Sequence, residues 1–108
     1  MTALAAVQLG VGGTLGNPLA ATDGDTISGN DVASGAILEV HNGAGSPITV
    51  QFADPGHTPA GNTGTQPAVT VANGTTKRFK PTMALVDGNN VVTVHYSSVT
   101  SVTYELYT

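Results

Sequence analysis

Three histidines, His41, His57 and His95, are the only side chains here whose ordinary pKa lies near neutrality, so the search for chemistry starts with them. His41 and His95 fall on the polar phase of alternating apolar and polar stretches, and meet only if those stretches are neighbouring strands. With Glu39 or Glu105 they would offer a divalent ion a mixed imidazole and carboxylate set. Solvent-facing strand histidines far outnumber ligands, so no metal site is assigned. Asp23, Asp25 and Asp31 raise a calcium question. Counted from Asp23, however, the fifth position is Ile27, the sixth lacks glycine and the twelfth lacks glutamate, so the acids read as turn residues.

Catalytic chemistry has less support still. The chain has no cysteine and no Gly-x-Ser-x-Gly elbow. Glu39 and Glu105 could face each other across a sheet, but two acids on an open polar face lack the burial that separates their pKa values for acid-base work. No catalytic residue and no cofactor is expected.

Composition narrows the partners. The 108 residues suit one domain, and only 9% of them are charged, so solubility rests on hydroxyls and amides. The net charge is −4, and the only basic side chains besides histidine are Lys77, Arg78 and Lys80. That is too few for a phosphate footprint, so no nucleic acid partner is expected. Those three alternate around one strand and read as edge protection, with an acidic neighbour as salt-bridge partner. Without cysteine the fold must hold by packing or association. Met1 to Val11 is apolar but lacks a basic start and is interrupted by Gly10, so neither a leader peptide nor a membrane span is expected, and the product should be soluble.

The elements that would position these residues are strands. From Asn90 to Tyr107, Val92, Val94 and Tyr96, then Val102, Tyr104 and Leu106, alternate with polar residues, predicting a β-hairpin with Tyr96 opposite Val102. Leu38 and Val40 with Ile48, Val50 and Phe52 predict a second hairpin, in which Pro47 belongs at a strand start. Val69 and Val71 with Phe79 predict a third around Asn73-Gly74, where a left-handed residue keeps the apolar face continuous. All three need odd-length loops. Asp54 to Pro67, with three prolines and three glycines, reads as a long loop suited to contact through His57 and Asn62. The expected fold is all-β: an antiparallel β-sandwich or barrel-like domain of about six to eight strands over residues 23–108, built from hairpins.

Residues 1–22 stand apart as an N-terminal extended arm. A short helix from Thr2 to Gln8 and a strand through Val7, Leu9 and Val11 are both compatible with the pattern. The arm is either a frayed terminus or a segment that docks on a neighbouring subunit, since Leu4, Val7, Leu9, Val11, Leu15 and Leu19 are costly to leave in water.

The order of phrases along the chain resembles a known family. Gly24-Asp25-Thr26, Leu38-Glu39-Val40-His41-Asn42-Gly43, Ile48-Thr49-Val50, Val69-Thr70-Val71 with Asn73-Gly74, Pro81, Asp87-Gly88 and Val92-Thr93-Val94-His95-Tyr96-Ser97 resemble small capsid decoration, or head auxiliary, proteins of tailed bacteriophages. The resemblance spans about residues 24–107; the 54–67 loop is longer than the pattern, and Lys80 stands where glycine is typical. It implies a non-enzymatic virion protein on the capsid exterior, made in the host cytoplasm, that binds the major capsid protein and stabilises the shell. The implied assembly is a homo-oligomer, with a trimer among the candidates. The partner contacts would come from Leu4, Val7, Leu9, Val11 and Leu15 of the arm and His57 and Asn62 of the loop. The alternatives are an adhesin-like ligand- or carbohydrate-binding module using His57, Asn62 and Thr63, and a tail or connector component. The absence of tryptophan counts against a sugar platform.

Overall fold

The computed structural model of the chain describes residues 2–14, 16, 18–56, 60 and 66–108. Among these, nine strands form two sheets packed face to face, an all-β sandwich. The strands are β1 (Ala3–Leu4), β2 (Leu19–Ala20), β3 (Asp25–Ser28), β4 (Ile37–Asn42), β5 (Ile48–Phe52), β6 (Val69–Val71), β7 (Thr76–Phe79), β8 (Val91–Tyr96) and β9 (Val102–Tyr107). The first sheet runs β1-β3-β8-β5-β6 and the second β2-β9-β4-β7. Apart from the parallel β1–β3 pair, neighbouring strands run antiparallel.

Alternation decides which side chains enter the core. Leu38 and Val40 from β4, Ile48 and Val50 from β5, Val92, Val94 and Tyr96 from β8, and Val102, Tyr104 and Leu106 from β9 are all buried. Their polar neighbours along each strand are more exposed, as a period of two requires. Phe52 and Phe79 close one side of the sandwich with an edge-to-face contact at 5.8 Å between ring centroids.

The phases are as the sequence predicts, but the partners are not. None of the three expected hairpins forms: β8 and β9 lie in different sheets, as do β4 and β5, and β6 and β7. Each connection is an arch that carries the chain across the core. Tyr96 is registered with Val50, and Val102 with Asn42, so the two residues expected to pair approach from opposite sheets. Alternation cannot distinguish the two arrangements, because a hairpin with one dry face and an arch facing itself across a core bury the same alternate residues. The odd loop length is common to both. Among the described residues, the one hairpin of consecutive strands is β5–β6, with Ile48 opposite Val71, and it spans the long loop.

The strand number exceeds the expected six to eight for two reasons. The arm contributes two-residue strands, and β3 occupies a stretch whose aspartates and glycines suggested only turns. In β3 both Asp25 and Ile27 point inward. Local turn chemistry is otherwise as the residues dictate. Gly74 has φ +74°, Pro47 immediately precedes β5, and Asp87 Oδ1 accepts from the amides of Asn89 and Val91 to turn the chain into β8. A five-residue helix, α1 (Gly29–Ala33), begins where the Ser28 side chain accepts from the Asn30 amide.

The described residues between 2 and 22 lie along one side of the sandwich. β1 pairs with β3 at the edge of the first sheet. The chain then crosses to the second sheet, where the Val7 amide donates to Leu106 O at 2.8 Å and the Leu9 amide to Thr108 O at 3.1 Å. After a tight turn closed by the Gly13 amide and Gly10 O, it returns as β2 against β9. Leu4, expected at a partner contact, is instead 5% exposed, because pairing with β3 directs it into the core.

Candidate functional site

The outer face of the second sheet carries the densest set of chemistry-bearing side chains. Inward Leu38, Val40, Tyr104 and Leu106 force Glu39, His41, Thr103 and Glu105 outward, and strand register sets Glu39 beside Glu105 and His41 beside Thr103. β7 adds Thr76 beside His41 and Arg78 beside Glu39. Glu39, His41, Thr76, Thr103 and Glu105, with Pro18 and Tyr104, line a shallow cavity of about 230 Å³.

Glu39, His41, Thr76, Arg78 and Glu105 each have a side-chain partner there. Arg78 Nε donates to Glu39 Oε2 at 2.9 Å, His41 Nδ1 and Thr76 Oγ1 lie 2.8 Å apart, and the Tyr107 hydroxyl donates to Glu105 Oε2 at 2.7 Å. That last bond holds the phenol proton, and together with desolvation it pushes the Tyr107 pKa up to about 12. The Arg78 side chain is 71% exposed, so the face is wet. The two glutamates are side by side as expected, yet an open face with a guanidinium on one acid and a phenol on the other resembles a surface network more than an acid-base pair.

The histidines do not come together. His41 lies on the outer face of the second sheet and His95 on that of the first, with the core between them. His95 Nδ1 lies 3.3 Å from Asp23 Oδ1. The same carboxylate oxygen accepts from the Tyr96 amide at 2.9 Å, which is the chief reason the Asp23 pKa is lowered, with His95 adding to it. Among the described residues no three His, Cys, Asp or Glu side chains are grouped to hold a metal ion.

The three clustered aspartates part company. Asp23 meets β8, Asp31 lies in α1, and Asp25 is fully buried. Asp25 Oδ1 accepts from the Thr2 amide at 3.1 Å and from the Thr22 hydroxyl, and Oδ2 accepts from the Thr22 amide at 3.0 Å. Sequence reasoning missed this carboxylate. Its signal was weak: a threonine three residues ahead of an aspartate that falls on the same phase as Ile27.

Of the expected contact residues, Val7 is 42% exposed, Leu9 54% and Val11 fully exposed. Leu19 joins them on the same flank, sharing with Val7, Leu106 and Tyr107 the lining of a recess of about 40 Å³. Leu15, His57, Asn62 and Thr63 lie outside the described residues. No helix among the described residues is long and apolar enough to cross a membrane. Comparison with protein-family models, curated proteins and solved structures returns no match.

Proposed function

We propose that the protein is a non-enzymatic virion structural protein that decorates a phage capsid exterior and stabilises it by binding the major capsid protein. The observation that carries this reading is the run of exposed apolar side chains, Val7, Leu9 and Val11, on a segment that bears no charged residue and is fastened to the sandwich on both sides of the run. A rigid β body presenting an uncharged apolar ridge suits burial against another protein, and many weak copies on one shell add to a large effect. Residues 1–22, the low charge and the cysteine-free core are compatible with a clamp across subunit boundaries, in a symmetric homo-oligomer around a capsid axis.

The test is to add the purified protein to undecorated shells, count bound copies and measure shell rupture temperature. Saturable binding at hundreds of copies per shell with a raised rupture temperature supports decoration. A handful of copies confined to one vertex or to tails would overturn it. Replacing Val7, Leu9 and Val11 together by serine should weaken binding at least tenfold without unfolding the domain, because these side chains are exposed.

A further inference from the structure

The four outermost strands of the two sheets differ in how much backbone they leave open. β1 and β2 span two residues each and β6 three, and the Lys77 ammonium already donates to Thr70 O of β6 at 3.0 Å. β7, with four residues, is the longest open edge among the described residues, and Thr76, Lys77 and Arg78 along it are exposed. The Asn42 amide donates to Thr75 O at 3.0 Å, and in an antiparallel pair the backbone groups face the neighbouring strand at every second residue. Lys77 and Phe79 therefore turn their backbone groups toward β4, whereas the N–H and C=O of Thr76 and Arg78 point away from the sheet. Among the described residues nothing bonds to them.

Charge decides what can pair there. All three lysine and arginine residues of the chain lie on this edge or one residue past it, while its seven acids lie on other elements. Register with β4 sets Arg78 on the outer face beside Glu39, and Lys80, exposed and two residues on, continues that phase. Arg78 gives only its Nε to Glu39, and its side chain is 71% exposed, so the rest of the guanidinium is open to a second carboxylate. A second copy of this edge is disfavoured by the same charges. Paired antiparallel about residue 77, 78 or 79, it would set Lys77 on Lys77, Arg78 on Arg78 or Arg78 on Lys80. Nucleic acid fits no better, since three cations make too small a phosphate footprint, and open amides and carbonyls match a strand.

We propose that the free edge of β7 takes an extended acidic segment of another protein as an added strand, with carboxylates at alternate positions of that segment pairing with Arg78 and Lys80. Backbone bonds to Thr76 and Arg78 hold the segment, and the two cations select it. In the second sheet β7 and β2 are opposite edges, so this surface is separate from the ridge of Val7, Leu9 and Val11 and stands whether or not the chain decorates a capsid.

Amide shifts and hydrogen exchange of the full chain, followed while a synthetic peptide with glutamate at every second position between threonines and valines is added, test it. The Thr76 and Arg78 amides should shift and exchange at least tenfold more slowly, while those of β1 and β2 stay unchanged. The same peptide with lysine for glutamate should protect neither. Arg78→Gln combined with Lys80→Gln should weaken binding about tenfold. Thr76→Pro, which removes one outward amide at the first residue of an edge strand, should weaken it at least threefold without removing a bond to β4. Should Thr76→Pro prevent folding, the glutamine variant decides the matter. No protection of Thr76 and Arg78 by the glutamate peptide, equal protection by the lysine peptide or by inorganic polyphosphate, or unchanged binding in the glutamine variant would each overturn the proposal.

Discussion

Gly43 and Ser101 touch where two arches cross the core: the Gly43 amide donates to Ser101 O at 2.9 Å, and a Cβ on Gly43 would stand 2.9 Å from that same oxygen. The bond that draws the loops together is also what forbids a side chain there. Gly43→Ala should therefore destabilise the domain by about 1–3 kcal/mol in chemical denaturation. Ser101 has φ +58°, so Ser101→Gly should relieve strain and leave stability within about 1 kcal/mol of the parent, on the stabilising side.

Asn42 ties the same region from inside. It is fully buried, its Nδ2 donates to Ser46 O at 2.9 Å and Val71 O at 3.0 Å, and its Oδ1 accepts from the Ala44 amide. Asn42→Ala strands three backbone groups at the end of β4 and should cost about 2–4 kcal/mol. Asn42→Asp should cost more, because it sets a carboxylate against two carbonyl oxygens. Urea midpoints of the two variants check the order.

The tyrosines should be silent where free tyrosine titrates. The pKa values of Tyr96 and Tyr104 are raised, mainly by burial, and that of Tyr107 is pushed up to about 12 by its bond to Glu105. Phenolate absorbance should thus be small at about pH 10, where an unfolded tyrosine is half ionised. Glu105→Gln should bring the Tyr107 transition down toward the ordinary value. Since the folded forms bind the proton more tightly, these groups contribute stability that is intact below about pH 10 and lost as pH rises through their folded values.

Acid acts through Asp23. Its pKa is lowered below the ordinary aspartate value of 3.8, first by the Tyr96 amide, so the folded state favours the ionised form. The stabilisation is present above pH 3.8 and lost as pH falls through the lower folded value. Asp23 is largely exposed, so the effect is small. Denaturation midpoints between about pH 2 and 6 should fall less steeply for Asp23→Asn than for the parent chain.

What the sequence made legible was the phase of each long strand. Val92, Val94, Tyr96, Val102, Tyr104 and Leu106 all point inward as alternation requires, and Glu39 stands beside Glu105. Strand partners were illegible, because pairing depends on which sheet a strand joins and alternation carries no sheet label. β3 was hidden by a buried aspartate whose neighbours come from the arm, a contact no local pattern encodes. Leu4 shows the limit in the other direction: an apolar residue on a glycine-rich segment is equally consistent with a partner's surface and with its own core, and only its register with β3 selects the core.

The strand order has a consequence for how the molecule comes into being. β8 lies between β3 and β5, and β9 lies between β4 and β2, so the last two strands are interior members of both sheets. A growing chain that has emerged only as far as β7 holds neither sheet together, since β3 has lost its sandwich-side neighbour and β4 is left with β7 alone. Folding must wait for the C-terminal strands and then close long loops at once, which makes the domain a slow, all-or-none folder on the ribosome and leaves truncated products with bare, sticky edges.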